Sequence, residues 1–281
     1  MTDHPGRDRA YVMGRSADET RRLRDRAKFF NPLTRHLFQD AGIGTGMRVL
    51  DIGSGPGDVS FLVAELVGPT GSVVGVDANP DIVRIAIARA EASGLTNVSF
   101  KAADIRDVEL DRDFDAVIGR LVLMYSTDPA DTLRSALRFV RPNGLAAFHE
   151  MNIGAPVWSE PLSPLHQLLG RCVREVFTRG GVEIAMGTRL YEVFVAAGVA
   201  APQMCTDAVI GGGVEWVSRF TAAFGAGILR SILPAILEYG IMPESELDLD
   251  TFDERYIREV VGRGSVVQWI PFVGAWGRKG A

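Results

Sequence analysis

The sequence predicts an α/β protein: a doubly wound, seven-stranded, mostly parallel sheet with helical lid insertions and an N-terminal helical arm. Two observations lead there. From Arg48 to Glu150, short apolar runs alternate with stretches of helical period, and strands alternating with helices build a parallel sheet covered on both faces. The first run passes straight into a glycine-rich turn and a helix, Met47-Arg-Val-Leu-Asp-Ile-Gly-Ser-Gly-Pro-Gly-Asp-Val-Ser60. Strand, glycine turn and helix N-terminus together form a cradle for a small ligand.

In chain order, Ser16 or Asp18 caps a helix to about Asp40. Its apolar stripe is Leu23, Ala27, Phe30, Leu33, Leu37 and Phe38, interrupted near Asn31-Pro32. The core strands expected are Arg48–Ile52, Ser72–Val76, Val98–Ala102, Asp115–Arg120 and Leu145–Glu150. Helices expected at Asp58–Val67, Pro80–Ser93 and Pro129–Val140 separate them, with Gly94 as a helix stop and Arg141-Pro-Asn-Gly144 as a turn. Gly187–Gly198 reads as a further helix. Gln203–Ile210 and Phe272–Arg278 read as the last two strands. The division expected is an arm over 1–45 and a core over 46–281, with lids at about 151–186 and 211–263. The first lid repeats Leu165, Leu168, Leu169, Cys172, Val173, Val176 and Phe177 at helical spacing. The second repeats Val217, Phe220, Phe224, Ile228, Ile232 and Ile236, then a helix over Phe252–Val261. Long connections in a compact domain are commonly functional lids, so Trp158, Phe220, Phe224 and Trp269 are candidates to line an apolar substrate cavity.

Composition narrows the function. A hydrophobic fraction of 47% is ample for a core, and a net charge of −5 argues against a dedicated nucleic-acid binder. Cys172 and Cys205 are the only cysteines, so a reduced, cytoplasmic protein without a zinc site is expected. From the polar, charged N-terminus neither a signal peptide nor a membrane anchor is expected. Nothing in the sequence opposes a homo-oligomer.

The glycine loop departs from a dinucleotide site. Gly53 and Gly55 fit G-x-G-x-x-G, but Asp58 stands at the last position. Asp51 is a poor neighbour for a pyrophosphate and a good one for a cation. S-adenosylmethionine carries an ammonium and a sulfonium and no phosphate, so the loop favours it over NAD. Asp77, at the end of the second strand, can accept from both ribose hydroxyls. Asp104 can accept from an adenine amino group, with Ile105 against the ring. Arg120 can fork a methionine carboxylate or a substrate acid, or form a salt bridge within the sheet end.

The ordered set VLDIGSGPG, VVGVDAN, AADI and FDAVIGRLVLMY resembles the class I S-adenosylmethionine-dependent methyltransferases, over about Met47 to Glu150. The resemblance implies a Rossmann-like methyltransferase sheet of order 3-2-1-4-5-7-6 with the seventh strand antiparallel. It implies a cofactor site at Asp51, Gly53, Ser54, Gly55, Asp77, Ala78, Asp104, Ile105 and Arg120, and an N-terminal arm whose Tyr11 or Arg15 contacts the cofactor. The same arm also reads as a helix packed over the sheet edge. His149 and Glu150 end the fifth strand, where an imidazole titrating near neutrality would serve as base. Adjacent strand residues point to opposite faces, so one is the candidate base and the other structural; alternatively both bond the following loop. The expected activity is methyl transfer to a small, largely apolar acceptor, such as one from secondary metabolism. A cyclase or decarboxylase using the same cofactor, and a non-catalytic S-adenosylmethionine-binding regulator, are the alternatives. Neither a membrane nor a nucleic acid is an expected partner.

Overall fold

The computed structural model describes residues 17–280, with side chains from Ala27 onward. The described chain runs α1 (Ala17–Asp40), β1 (Arg48–Ile52), α2 (Asp58–Val67), β2 (Ser72–Asp77), α3 (Pro80–Ala92), β3 (Val98–Ala102), β4 (Phe114–Arg120), a 3-10 turn at Leu123–Tyr125, α4 (Pro129–Leu137), β5 (Val140–Met151) and β6 (Trp158–Glu160). It continues through α5 (Pro164–Arg179), α6 (Met186–Ala197), β7 (Gln203–Asp207), β8 (Ile210–Gly211), α7 (Val214–Phe224), α8 (Ala226–Glu238), α9 (Glu244–Leu247), α10 (Phe252–Arg263), β9 (Val266–Gln268) and β10 (Phe272–Arg278).

Two compact units share this chain. A sheet unit takes Asn31–Glu150, Met186–Thr206 and Val273–Ala281; a helical unit takes the chain up to Phe30, Met151–Ala185 and Asp207–Phe272. The division falls inside α1, which runs on through Pro32.

The sheet unit holds seven strands in the order β3-β2-β1-β4-β5-β10-β7. Parallel registers run Arg48↔Ser72 to Ile52↔Val76, Val49↔Ala116 to Asp51↔Ile118, and Ala116↔Leu145 to Arg120↔His149. The turn expected at Arg141–Gly144 is an irregularity within β5, where the pairing jumps between Phe114↔Val140 and Ala116↔Leu145. The end of β10 meets the start of β5 through Lys279 N–H to Gly144 O at 2.8 Å. Its beginning meets the other end through Asn152 N–H to Pro271 O at 2.9 Å, so β10 is antiparallel to β5. One face of the sheet presents Val49, Ala116, Ile118, Leu145 and Ala147, covered by Leu37 and Phe38 of α1 and Val59, Leu62 and Val63 of α2. The valine, leucine, isoleucine and phenylalanine side chains among these each contribute about 1.5–3 kcal/mol if fully buried.

The helical unit has an aromatic centre. Phe220 stacks on Trp216 at 5.4 Å and on Tyr256 at 5.9 Å, and Phe224 lies 5.3 Å from Trp269 and 5.4 Å from Phe29. The apolar row of the second lid is two helices. At Gly225 an added Cβ would lie 2.1 Å from Asp253 Oδ1, and that carboxylate accepts the Ala226 N–H at 2.7 Å, starting α8. Val214–Glu238 is apolar and long enough to cross a membrane by composition, with a mean hydropathy of 1.6. Its apolar row (Val217, Phe220, Phe224, Ile228, Ile232, Ile236) is buried in this unit. A three-stranded sheet, β6-β9-β8, completes the unit. Its antiparallel register sets Trp158↔Gln268 and Ile210↔Gln268. The strand expected over Gln203–Ile210 is therefore split: β7 belongs to the large sheet and β8 to the small one.

Candidate functional site

The glycine loop after β1 has the backbone that its sequence demands. Gly53, Gly55 and Gly57 take φ of +60°, +53° and +91°, the left-handed region that side chains resist. Ser54 N–H donates to Val76 O at 3.1 Å, joining the loop to β2. Asp77, at the end of β2, accepts the Gly55 N–H on Oδ2 and the Asn79 N–H on Oδ1, both at 2.9 Å. These two bonds fix the carboxylate and leave each oxygen a further lone pair. A Cβ placed on Gly55 would meet nothing within 4 Å, so the loop backbone is open above this position.

Beside the loop, Asp51 is buried and accepts the Ser60 hydroxyl on Oδ2 at 2.6 Å. Its Oδ1 and the buried Ser54 Oγ have no hydrogen-bond partner among the described residues. Burial pushes the Asp51 carboxyl up to about 7, against the Ser60 bond and the Arg120 charge, with Asp77 adding to the rise. A buried, unsatisfied acid at a glycine turn suits a cationic group without phosphate, so these residues fit S-adenosylmethionine.

Registers place Arg120 and His149 next to one another. Paired and alternate residues share a face, so Asp51, Ile118, Arg120 and His149 form one row at the carboxyl edge. Arg120 Nη1 donates to Asn31 Oδ1 at 2.9 Å and to Thr34 Oγ1 at 3.1 Å. Thr34 Oγ1 also lies 3.1 Å from His149 Nδ1. Burial lowers the Arg120 pKa, opposed by the charges of Asp58 and Asp51.

His149 does not titrate near neutrality, contrary to the expectation for an imidazole at a strand end. It is fully buried, and burial, then the Arg120 charge, lowers its pKa to about 3. Glu150, on the other face, is equally buried. Its Oε1 accepts the N–H groups of Val122 and Leu123 at 3.0 and 2.8 Å, so it caps the turn after β4. Oε2 has no partner among the described residues. Burial pushes this carboxyl up to about 7 against those N–H groups. The turn also carries Leu121 at φ +56°, a conformation that costs a leucine roughly 1–2 kcal/mol.

The remaining expectations divide. Gly53, Ser54, Gly55, Asp77 and the exposed Ala78 lie together at the ends of β1 and β2. Asp104 follows β3, but its carboxylate is already forked by Arg106, from Nε at 2.8 Å and Nη2 at 2.6 Å. Ile105 beside it is buried. Tyr11 and Arg15 lie outside the described residues. Phe220, Phe224 and Trp269 are at most 1% exposed and Trp158 is 46% exposed. The first three thus pack against each other rather than lining open space. Asn31, Thr34 and Ser60 were not singled out by sequence; only their polarity on otherwise apolar helix faces signals them. Among the described residues no group of acids, histidines and cysteines is placed to hold a metal ion.

Residues 43–198, more than half of the chain, match the family described as a methyltransferase domain. An arsenite methyltransferase of Aquipseudomonas alcaligenes is 39% identical over 114 residues, covering 38% of this chain and 33% of that protein. A ubiquinone/menaquinone biosynthesis C-methyltransferase, UbiE, of Pseudomonas savastanoi pv. phaseolicola is 38% identical over 112 residues, covering 39% of this chain and 44% of that protein. The match therefore spans less than half the length of either relative. Among solved structures, the [4+2]-cyclase SpnF matches with a TM-score of 0.54 at 21% identity, covering 89% of this chain and 82% of that one. That likeness is one of fold.

Proposed function

Because the chain belongs to the class I S-adenosylmethionine-dependent methyltransferases, we propose that it transfers a methyl group to a small, largely apolar molecule, such as one from secondary metabolism. The observation that carries the reading is Asp77, held by the Gly55 and Asn79 N–H groups beside an open glycine loop. A carboxylate fixed in that way is ready to accept a pair of ribose hydroxyls. When bound, S-adenosylmethionine supplies an electrophilic methyl on a sulfonium.

The chain's own residues bind and orient. Asp51 Oδ1 receives the ammonium, and the arriving cation favours the ionised carboxylate. Arg120 takes the methionine carboxylate. Asp104 and Ile105 take the adenine. Holding nucleophile and methyl in line supplies most of the acceleration. Where the acceptor must lose a proton, Glu150 is the base we assign. Its Oε1 is taken by the Val122 and Leu123 N–H groups, while its Oε2 has no partner among the described residues and keeps its lone pairs for a proton. His149 is then a structural partner of Thr34.

Calorimetry tests the cofactor site. Hydrogen bonds to a charged group contribute about 1.5–3 kcal/mol each. Asp77→Ala is therefore expected to weaken S-adenosylmethionine binding by roughly ten- to a thousandfold. Unchanged affinity in the folded variant removes the assignment, and tighter binding of NAD removes the whole reading. Product mass separates methyl transfer, which adds one methyl, from cyclisation or decarboxylation on the same scaffold. A regulator would release no S-adenosylhomocysteine with any acceptor.

A further inference from the structure

We propose that Asn31 and Thr34 of α1 are positioning residues for the amino-acid end of the methyl donor, acting by fixing the guanidinium of Arg120. The inference rests on the methyltransferase reading and extends it to two residues outside every recognisable motif.

Three observations carry it. The first is the direction of the hydrogen bonds. An arginine donates and never accepts, so Arg120 Nη1 donates to both Asn31 Oδ1 and Thr34 Oγ1. The threonine hydroxyl also lies 3.1 Å from His149 Nδ1. Burial and the Arg120 charge lower the His149 pKa, so the ring stays neutral near pH 7. Thr34 thus joins Arg120 to an imidazole whose charge does not change near neutrality.

The second observation is what these bonds leave unused. Nε and Nη2 of Arg120 have no hydrogen-bond partner among the described residues. Arg120 is partly exposed, so these spare donors are open to an anion.

The third is the complement nearby. Asp51 lies on the same face one strand over, with Oδ1 unpartnered. An unused cationic donor and an unused anionic acceptor on adjacent strand ends match the two charges of an α-amino acid. A long arginine side chain would otherwise sample many rotamers. Asn31 and Thr34 restrict it before any ligand arrives, which is preorganisation.

The test compares two probes by calorimetry on the full chain. S-adenosylhomocysteine carries the amino-acid end, and 5′-methylthioadenosine has the same nucleoside without it. Thr34→Val and Asn31→Ala are each expected to weaken S-adenosylhomocysteine about tenfold and to leave 5′-methylthioadenosine within about twofold. Thr34→Ser, which keeps the hydroxyl, is expected to restore the wild-type ratio. A merely structural role would move both probes together, so an equal loss overturns the proposal. So does an unchanged ratio in the Asn31→Ala, Thr34→Val double variant, which would assign Arg120 to a substrate acid instead. A wild-type protein that binds neither probe overturns the methyltransferase reading itself.

Discussion

Glu150 lies fully inside the protein, with Oε1 taken by two backbone N–H groups and Oε2 unpartnered. Glutamine in its place keeps an oxygen for both N–H groups and loses the basic lone pair. For an acceptor that must be deprotonated, Glu150→Gln is expected to lose roughly 10²–10⁴-fold in rate with the fold intact. Near wild-type turnover, measured as S-adenosylhomocysteine release, would leave proximity alone as the mechanism. His149 makes a different forecast. Its folded pKa is lowered from 6.5 to about 3, so the unfolded chain binds the extra proton first. Stability is full above the unfolded value and declines as pH falls through the window between the two. Asp51 and Glu150, raised to about 7, contribute with the opposite sign and are lost as pH rises, but they are common to both proteins compared. Between pH 7.5 and 5, wild type is thus expected to lose roughly 2 kcal/mol more stability than His149→Gln. Urea denaturation at the two pH values reads this directly, and parallel losses would place the imidazole in water. The residue type was legible in the sequence; its titration was not, because burial is a property of the neighbours that α1 brings.

The strand-to-helix turn after β1 shows how one element carries two kinds of glycine. At Gly53 an added Cβ would lie 2.5 Å from Val122 Cγ2, in the turn that Glu150 holds. At Gly55 it would meet nothing within 4 Å. Both positions have positive φ, so alanine at either costs about 1–2 kcal/mol in backbone conformation. Only Gly53→Ala adds a steric cost, about 1–3 kcal/mol for overpacking. Gly53→Ala is therefore expected to melt lower than Gly55→Ala. Gly55→Ala in turn should lose much of the thermal stabilisation that S-adenosylhomocysteine confers, because its methyl would enter the open space that the proposed site assigns to the ligand. Equal melting temperatures would mean that Val122 moves aside freely. This element was legible almost to the residue: α2 begins and ends where the apolar period predicted, at Asp58 and Val67. Strand period and glycine spacing are local signals. The small sheet was invisible for the converse reason, since strands of three, two and three residues are too short to show an alternation.

Across the whole molecule, the sheet order was readable and the division of the chain was not. Phe220 and Phe224 were expected to border a substrate cavity, because an apolar helical row looks the same whether it lines a pocket or fills a core. Their burial makes them core of the helical unit, so Phe220→Ala is expected to cost roughly 3–5 kcal/mol of stability. S-adenosylhomocysteine affinity, which the proposed site assigns to the sheet unit, should survive; calorimetry on the folded fraction measures it, and a loss as large as that of Asp77→Ala would overturn that assignment. The strand order has a consequence for synthesis. β10 lies between β5 and β7 in space but follows both in the chain. A growing polypeptide makes β7 and then has nowhere to put it. At about 5–20 residues per second, several seconds pass before the strand that joins it to the sheet emerges. Through that interval β5 and β7 both offer open edges, the kind of surface that chaperones shield and aggregation exploits.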